Sequence, residues 1–256
     1  ARQGVQVLLG FLLHQARAVL RTALDAVLPP RCLKCGDILG GENGLCAPCW
    51  QKLAWLSPPC CACCGQPFHF ESGATSLCGA CLQKRPVFAR ARAVFRYDVE
   101  SRALILGFKH ADRTELAPTL ARWMARSGAE LIDDCALIVP VPLHWTRLAV
   151  RRFNQAGLLA QAIGRLADRP VEPRALIRRR ATRSQGHLGR LARRRNVQGA
   201  MAVAERLASQ IAGRRILLVD DVITTGATAE TAAKALVSAG ASAVDVLALA
   251  KVVRAD

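Results

Sequence analysis

Ile216-Leu217-Leu218-Val219-Asp220-Asp221-Val222-Ile223-Thr224-Thr225-Gly226-Ala227-Thr228 opens as four apolar residues, meets two adjacent carboxylates, and passes into a short Thr/Gly loop. A run such as Ile216–Val219 reads as a strand buried on both faces. Ala229–Ala239 then has helical composition, Gly240 is a helix stop, and Ala243–Ala250 is a second apolar run. Strand, loop, helix and strand in that order are the building block of a parallel sheet. Two neighbouring acids repel one another and cannot both face a core. At the carboxyl end of a strand, where open α/β sheets bind ligands, they become tolerable if they accept hydrogen bonds from sugar hydroxyls or neighbour a Mg²⁺ ion. The hydroxyls of Thr224, Thr225 and Thr228, with backbone N–H groups at a helix start, favour a phosphate. A diol reader beside a phosphate cradle suits ribose 5-phosphate; the bland alternative is a capped helix after a buried strand.

These residues are similar to the binding motif of type I phosphoribosyltransferases, whose donor is 5-phosphoribosyl 1-diphosphate (PRPP). The resemblance implies that Asp220 and Asp221 hold the ribose hydroxyls and are the catalytic candidates. It implies that Thr224, Thr225, Gly226, Ala227 and Thr228 hold the 5-phosphate.

Length and composition frame this reading. The chain has 256 residues, enough for one large domain and a small one, and 52% apolar content supports a packed core. A formal net charge of +17 favours polyanions: nucleic acid, phosphorylated metabolites or an anionic membrane surface. Within residues 1–28, an apolar stretch over 5–28 is broken by His14, Arg17, Arg21 and Asp25. It predicts an amphipathic helix, too interrupted to span a bilayer, that covers the rest of the protein or touches a membrane or partner.

The cysteines cluster. Of eleven, ten lie between Cys32 and Cys81. Cys32-x-x-Cys35-Gly36 and Cys46-x-x-Cys49 are two tight knuckles, each presenting two thiolates to one tetrahedral ion, which is the spacing of a four-sulfur zinc site. A second copy follows. Cys61-x-x-Cys64-Gly65 repeats the Cys35-Gly36 pattern and pairs with Cys78-x-x-Cys81, although Cys60-x-x-Cys63 also fits the spacing. The expectation is a zinc-ribbon module over 29–86 carrying one or two structural zinc ions. Four thiolates leave no open coordination position for chemistry.

The large domain is expected over 87–256. Ala91–Tyr97 reads as a strand, Ser101–Phe108 as a helix ending at Lys109, and Leu116–Ser127 as a helix with Pro118 in its first turn. Leu137–Val141 reads as a buried strand running into a proline-held loop, and Phe153–Ala156 opens a helix. Between His144 and Asn196 lie fourteen arginines and only two acids. The stretch Arg178–Asn196, with Arg190, Arg193, Arg194 and Arg195, reads as a long basic loop. It serves as a lid over a diphosphate, as a nucleic-acid contact, or as a solvated surface.

Across almost the whole chain these landmarks resemble the ComF-type proteins, a phosphoribosyltransferase-like family with an N-terminal double zinc ribbon. Its Val-Pro-Val-Pro-Leu loop is matched at Val139–Leu143. Its Arg-Gly-Phe-Asn-Gln motif is matched at Arg151–Gln155 with Arg152 in place of Gly, which blocks backbone approach to a diphosphate or substitutes a side-chain contact. A third segment is matched by Thr182, Gln185, Leu188, Arg193 and Asn196, and Lys109 sits in the family's Phe/Leu-Lys position. The resemblance implies an α/β fold, a type I phosphoribosyltransferase-like parallel sheet flanked by helices and preceded by the cysteine module. It implies PRPP with Mg²⁺ bound by the acids, the phosphate loop, Val141, Pro142, Leu143 and Lys109. It also implies single-stranded DNA as a partner in DNA uptake, a DNA-uptake or helicase protein as a further partner, and a cytoplasmic location. The alternative is an active phosphoribosyltransferase, for which no base-reading signature names the acceptor. One Tyr and four Trp make backbone contacts to DNA a better expectation than base stacking.

Overall fold

The structure is a computed structural model that describes residues 29–40, 44–110, 113–143, 153–178 and 200–254. The expected N-terminal helix, Arg151 and Arg152, the matches from Thr182 to Asn196, and Arg190, Arg193, Arg194 and Arg195 lie outside the described residues. The chain divides into two compact units, one ending at Lys52 and one beginning at Leu53. The first contains the knuckles of Cys32, Cys35, Cys46 and Cys49 and a short helix, α1 (Ala47–Lys52). The second contains everything else described here.

In the second unit the elements run α2 (Gly79–Gln83), β1 (Arg90–Arg96), α3 (Val99–His110), α4 (Ala117–Ser127), α5 (Ala129–Asp134), β2 (Leu137–Pro140), α6 (Gln155–Ala167), β3 (Leu176–Arg178), β4 (Met201–Val203), α7 (Ala208–Ile211), β5 (Arg215–Ile223), α8 (Ala227–Ser238) and β6 (Ala243–Lys251). The four-stranded sheet has the order β1-β6-β5-β2 with every neighbouring pair parallel. β3 and β4 form a separate antiparallel pair that the sequence did not announce; three-residue strands have too little pattern to read.

The central strand is buried on both sides, as its unbroken apolar run requires. Ile216 and Leu218 face one core with Val244, Val246, Leu137 and Val139. Into this core α8 sends Ala229, Ala232, Ala233 and Leu236, the i, i+3, i+4, i+7 stripe of an amphipathic helix. Side chains of a strand alternate, so Leu217 and Val219, also fully buried, face the opposite side, where α4 and α6 pack on the sheet.

β5 runs further than the four apolar residues suggest. Its ladder with β6 continues past both acids, pairing Asp220 with Ala248 and Ile223 with Lys251. β6 extends equally far, so the backbone of residues 220–223 has partners whatever its side chains carry.

β1 is an edge strand, and residues 54–64 cover it. Leu56 N–H donates to the Val94 carbonyl at 2.8 Å, Arg96 N–H to the Ala54 carbonyl at 2.8 Å, and Ala91 N–H to the Cys63 carbonyl at 2.7 Å. Gly65 has a φ of +67°, and a Cβ there would lie 2.4 Å from the Ala91 carbonyl oxygen, so only glycine permits this approach. The expected zinc module over 29–86 therefore spans both units: its second knuckle pair is built onto the sheet.

At the amino-terminal end of the strands sits a fully buried carboxylate, Asp245. Arg90 donates to it from Nε at 3.1 Å and from Nη2 at 2.7 Å, and Arg215 from Nε at 2.8 Å. The three charges tie β1, β6 and β5 together. Truncating such a carboxylate leaves two guanidinium groups around an emptied site. Asp245→Ala is expected to destabilise the fold by about 3 kcal/mol, seen as a lower urea midpoint with an unchanged slope.

Candidate functional site

At the opposite, carboxyl-terminal end of the sheet the charges are less well matched. Alternation gives the two neighbouring acids of β5 different surroundings. Asp220 is 9% exposed, and its Oδ1 accepts the Asp221 N–H at 2.8 Å. Burial first, and the adjacent Asp221 carboxylate second, push Asp220 up to about 7, against the pull of Lys109 and Arg178. Asp221 is half-buried and pairs with Lys109 Nζ at 2.5 Å. Lys109 lies in the last turn of α3, where its carbonyl accepts from Gln155 Nε2 at 3.4 Å.

The loop after β2 closes in beside them. Val141 N–H donates to the Val219 carbonyl at 2.8 Å, and Asn154 Nδ2 donates to the Val141 carbonyl at 3.1 Å. Pro142 has no N–H to give. Gln155 is 1% exposed, and its Oε1 has no hydrogen-bond partner among the described residues. A buried unsatisfied amide oxygen is costly in a merely structural position. Asn154 and Gln155 act here through the backbone of the loop and of α3. In the sequence their signal was confined to the Phe-Asn-Gln resemblance. Arg178, at the end of β3, carried no separate signal.

The Thr/Gly segment divides between a turn and a helix. Thr224–Gly226 form the turn, and Ala227 and Thr228 are the first residues of α8. Gly226 has φ +78°, the left-handed region, which turns the chain from strand into helix in one residue. The Gly226 carbonyl accepts the Glu230 N–H at 2.8 Å, which sets the first helical turn. N–H groups of a first turn have no intrahelical partner and, with the helix dipole, make a receptor for an anion. Asp220, Asp221, Lys109, the Val141–Leu143 loop and Thr224–Thr228 thus lie around one end of the sheet.

The cysteines form two groups: Cys32, Cys35, Cys46 and Cys49 in the first unit, and Cys61, Cys64, Cys78 and Cys81 in the second. Within each group all four sulfurs lie within 4.8 Å of one another. The Cys35–Cys46 and Cys64–Cys78 sulfurs are each 3.6 Å apart. A zinc tetrahedron with 2.3 Å bonds has edges of about 3.8 Å, so both groups fit the ion. Burial alone would raise the Cys32 thiol, but N–H groups of Cys35, Cys46 and Lys34 bring it down to about 6. Cys61 is brought down to about 7 by N–H groups of Cys64, Cys78 and Cys63, again against burial. Donors aimed at sulfur stabilise thiolates, the form that binds metal. Cys60 and Cys63 lie outside the second group, and burial raises both of their thiols.

Comparison with known proteins connects these features. Residues 23–82 match the double zinc ribbon domain family, and residues 125–254 match the phosphoribosyl transferase domain family. The chain is 33% identical to competence protein F of Haemophilus influenzae, over 86% of this chain and 96% of that protein. It is 35% identical to the DNA utilization protein YhgH of Escherichia coli K12, over 88% of this chain and 98% of that protein. It is 25% identical to competence protein ComFC of Bacillus subtilis, over 80% of this chain and 83% of that protein.

Two measurements check the site. Metal analysis of the purified chain should find close to two zinc equivalents, one for each sulfur group. Cys35→Ser and Cys64→Ser should each lose one equivalent, and Cys63→Ser none. The second concerns Asp220. Its folded value near 7 lies above the ordinary 3.8, so its stabilising contribution is complete below pH 4 and is lost as pH rises through 7. Asp220→Asn, which keeps the oxygen that accepts the Asp221 N–H, should therefore melt about 3 °C or more above the parent at pH 8. That advantage should vanish at pH 4, as read by thermal melts of the ligand-free protein.

Proposed function

The chain belongs to the ComF-type family of double-zinc-ribbon, phosphoribosyl transferase-domain proteins, and on that premise we propose that it binds PRPP with Mg²⁺ and handles single-stranded DNA in the cytoplasm during DNA uptake. The observation that carries the reading is the convergence at one end of the sheet. Two acids, a lysine and the proline-held loop after β2 lie beside a helix start preceded by a glycine turn.

Each group has a role in this reading. The N–H groups of Gly226, Ala227 and Thr228 and the hydroxyls of Thr224 and Thr225 receive the 5-phosphate. Ionised Asp220 and Asp221 accept hydrogen bonds from the ribose hydroxyls. Lys109, now paired with Asp221, exchanges part of that contact for the diphosphate, together with the Val141–Leu143 loop. Mg²⁺ accompanying the diphosphate would neutralise part of its charge, with Asp220 and Asp221 as the nearby carboxylates. The two cysteine groups hold structural zinc. The surplus of +17 supplies phosphate contacts for a DNA strand.

No helix among the described residues is long and apolar enough to cross a membrane. A DNA-uptake or helicase protein is the proposed macromolecular partner. Transfer of the phosphoribosyl group to an acceptor is the second reading, favoured by the phosphoribosyl transferase domain match over 125–254. Diphosphate release on adding a panel of nucleobases to the PRPP-loaded protein reports it.

Calorimetric titration with PRPP and Mg²⁺ tests the site. Ionised Asp220 accepts from hydroxyls with both oxygens and more strongly than the neutral acid, so affinity should rise from pH 6 to pH 8, through its value of about 7. Asp220→Asn should weaken binding by about tenfold or more and flatten that pH dependence. An Asn variant with unchanged affinity and an unchanged pH profile would remove Asp220 from the site.

A further inference from the structure

Between the second cysteine group and the turn before α8 lies a cavity of about 430 Å³, within the size range of small-ligand sites. Its floor is the Thr224–Ala227 segment. Asp220, Asp221 and Lys109 do not line it, so the cavity lies on the phosphate side of the proposed site and away from the ribose-reading acids.

Its walls carry Lys84, Arg85, Lys251 and Arg254 against one carboxylate, Glu230, and three sulfurs of the second cysteine group, Cys64, Cys78 and Cys81. That carboxylate is already engaged, accepting the Val87 N–H at 3.1 Å. Lys251 is only 8% exposed, yet its ammonium forms no ion pair with a carboxylate among the described residues. Its charge acts on the Cys64 sulfur of the second group, and with Lys84, Arg85 and Arg254 it places four cationic side chains around the cavity, where an anion finds favourable partners. Arg254 is held at the rim by design of its backbone: buried Gln66 donates from Nε2 to the Arg254 carbonyl at 3.0 Å, and its Oε1 accepts the Arg254 N–H at 3.3 Å.

PRPP ends at its 5-phosphate and would leave this cavity empty. A nucleotide whose 5′-phosphate is esterified to a preceding nucleotide would not. We propose that the cavity receives the nucleotide on the 5′ side of a phosphodiester seated on the Thr224–Ala227 turn, so that single-stranded DNA and PRPP share the phosphate position and exclude one another. This rests on the reading of that turn as the 5-phosphate cradle. The cationic walls meet the flanking phosphates, and the scarcity of aromatic side chains is no obstacle, because recognition is of the backbone.

The test uses the full zinc-loaded chain and three probes: PRPP with Mg²⁺, thymidine 5′-monophosphate, and a short oligodeoxythymidylate followed by fluorescence anisotropy. PRPP should displace the oligonucleotide, and the oligonucleotide should bind about tenfold or more tightly than the mononucleotide. The paired surface change Lys84→Ala with Arg85→Ala should weaken the oligonucleotide about tenfold while leaving PRPP affinity within about twofold. PRPP that binds but fails to displace the strand, or a paired variant with undiminished DNA affinity, overturns this inference and leaves the PRPP site standing. Absence of PRPP binding in the unaltered chain overturns both.

Discussion

A strand with neighbours on both edges and helices over both faces has only its two ends left for polar chemistry, and β5 is in that position. Ile216–Val219 are withdrawn from water by β2, β6 and the layers on either side. Burial of that run is what holds Asp220 and Asp221 at a fixed depth. Since the ladder with β6 persists to Ile223, the acids cannot swing out as residues of a loose loop would. One is forced into the core, where it is harder to ionise, and its neighbour turns toward Lys109. The glycine turn then follows at a set distance, and the helix start is delivered beside the acids.

The two ends of the sheet solve their electrostatics differently. At the amino end, Asp245 is buried but answered by two arginines through short hydrogen bonds, so the charge is satisfied within the protein and serves to join strands. At the carboxyl end, Asp220 is buried beside a second acid, and among the described residues Gln155 Oε1 lacks a hydrogen-bond partner and Lys251, which lines the cavity, has no carboxylate partner. Polar groups left unsatisfied cost stability, and that cost is concentrated at the end of the sheet where the proposed site lies.

The second cysteine group links these themes. A knuckle pair held by four sulfurs is a small, rigid body, and here it caps the exposed edge of β1, which would otherwise offer unpaired backbone groups to other chains. The same segment forms one wall of the basic cavity. Metal binding would thus brace both the sheet edge and the surroundings of the turn before α8.

Much of this was legible from local pattern. The apolar run of β5, its two acids and the glycine turn were visible because strand burial, charge and left-handed backbone each leave a residue-level signature. The cysteine knuckles were visible because metal geometry restricts spacing. Spacing alone left Cys60-x-x-Cys63 and Cys61-x-x-Cys64 both open, and the folded chain brings the latter together with Cys78 and Cys81. Other features had no local signature. Gln66 reaches Arg254, Arg90 reaches Asp245, and Lys109 reaches Asp221 across long separations in the chain. Local pattern was therefore enough for the longer strands and helices and for the knuckles, which depend on neighbours a few residues away, but not for the three-residue β3 and β4 or the shortest helices. Which acid is buried, which cations line the cavity and which edge the cysteines cover depend on groups that packing brings together, and no local pattern carries that information.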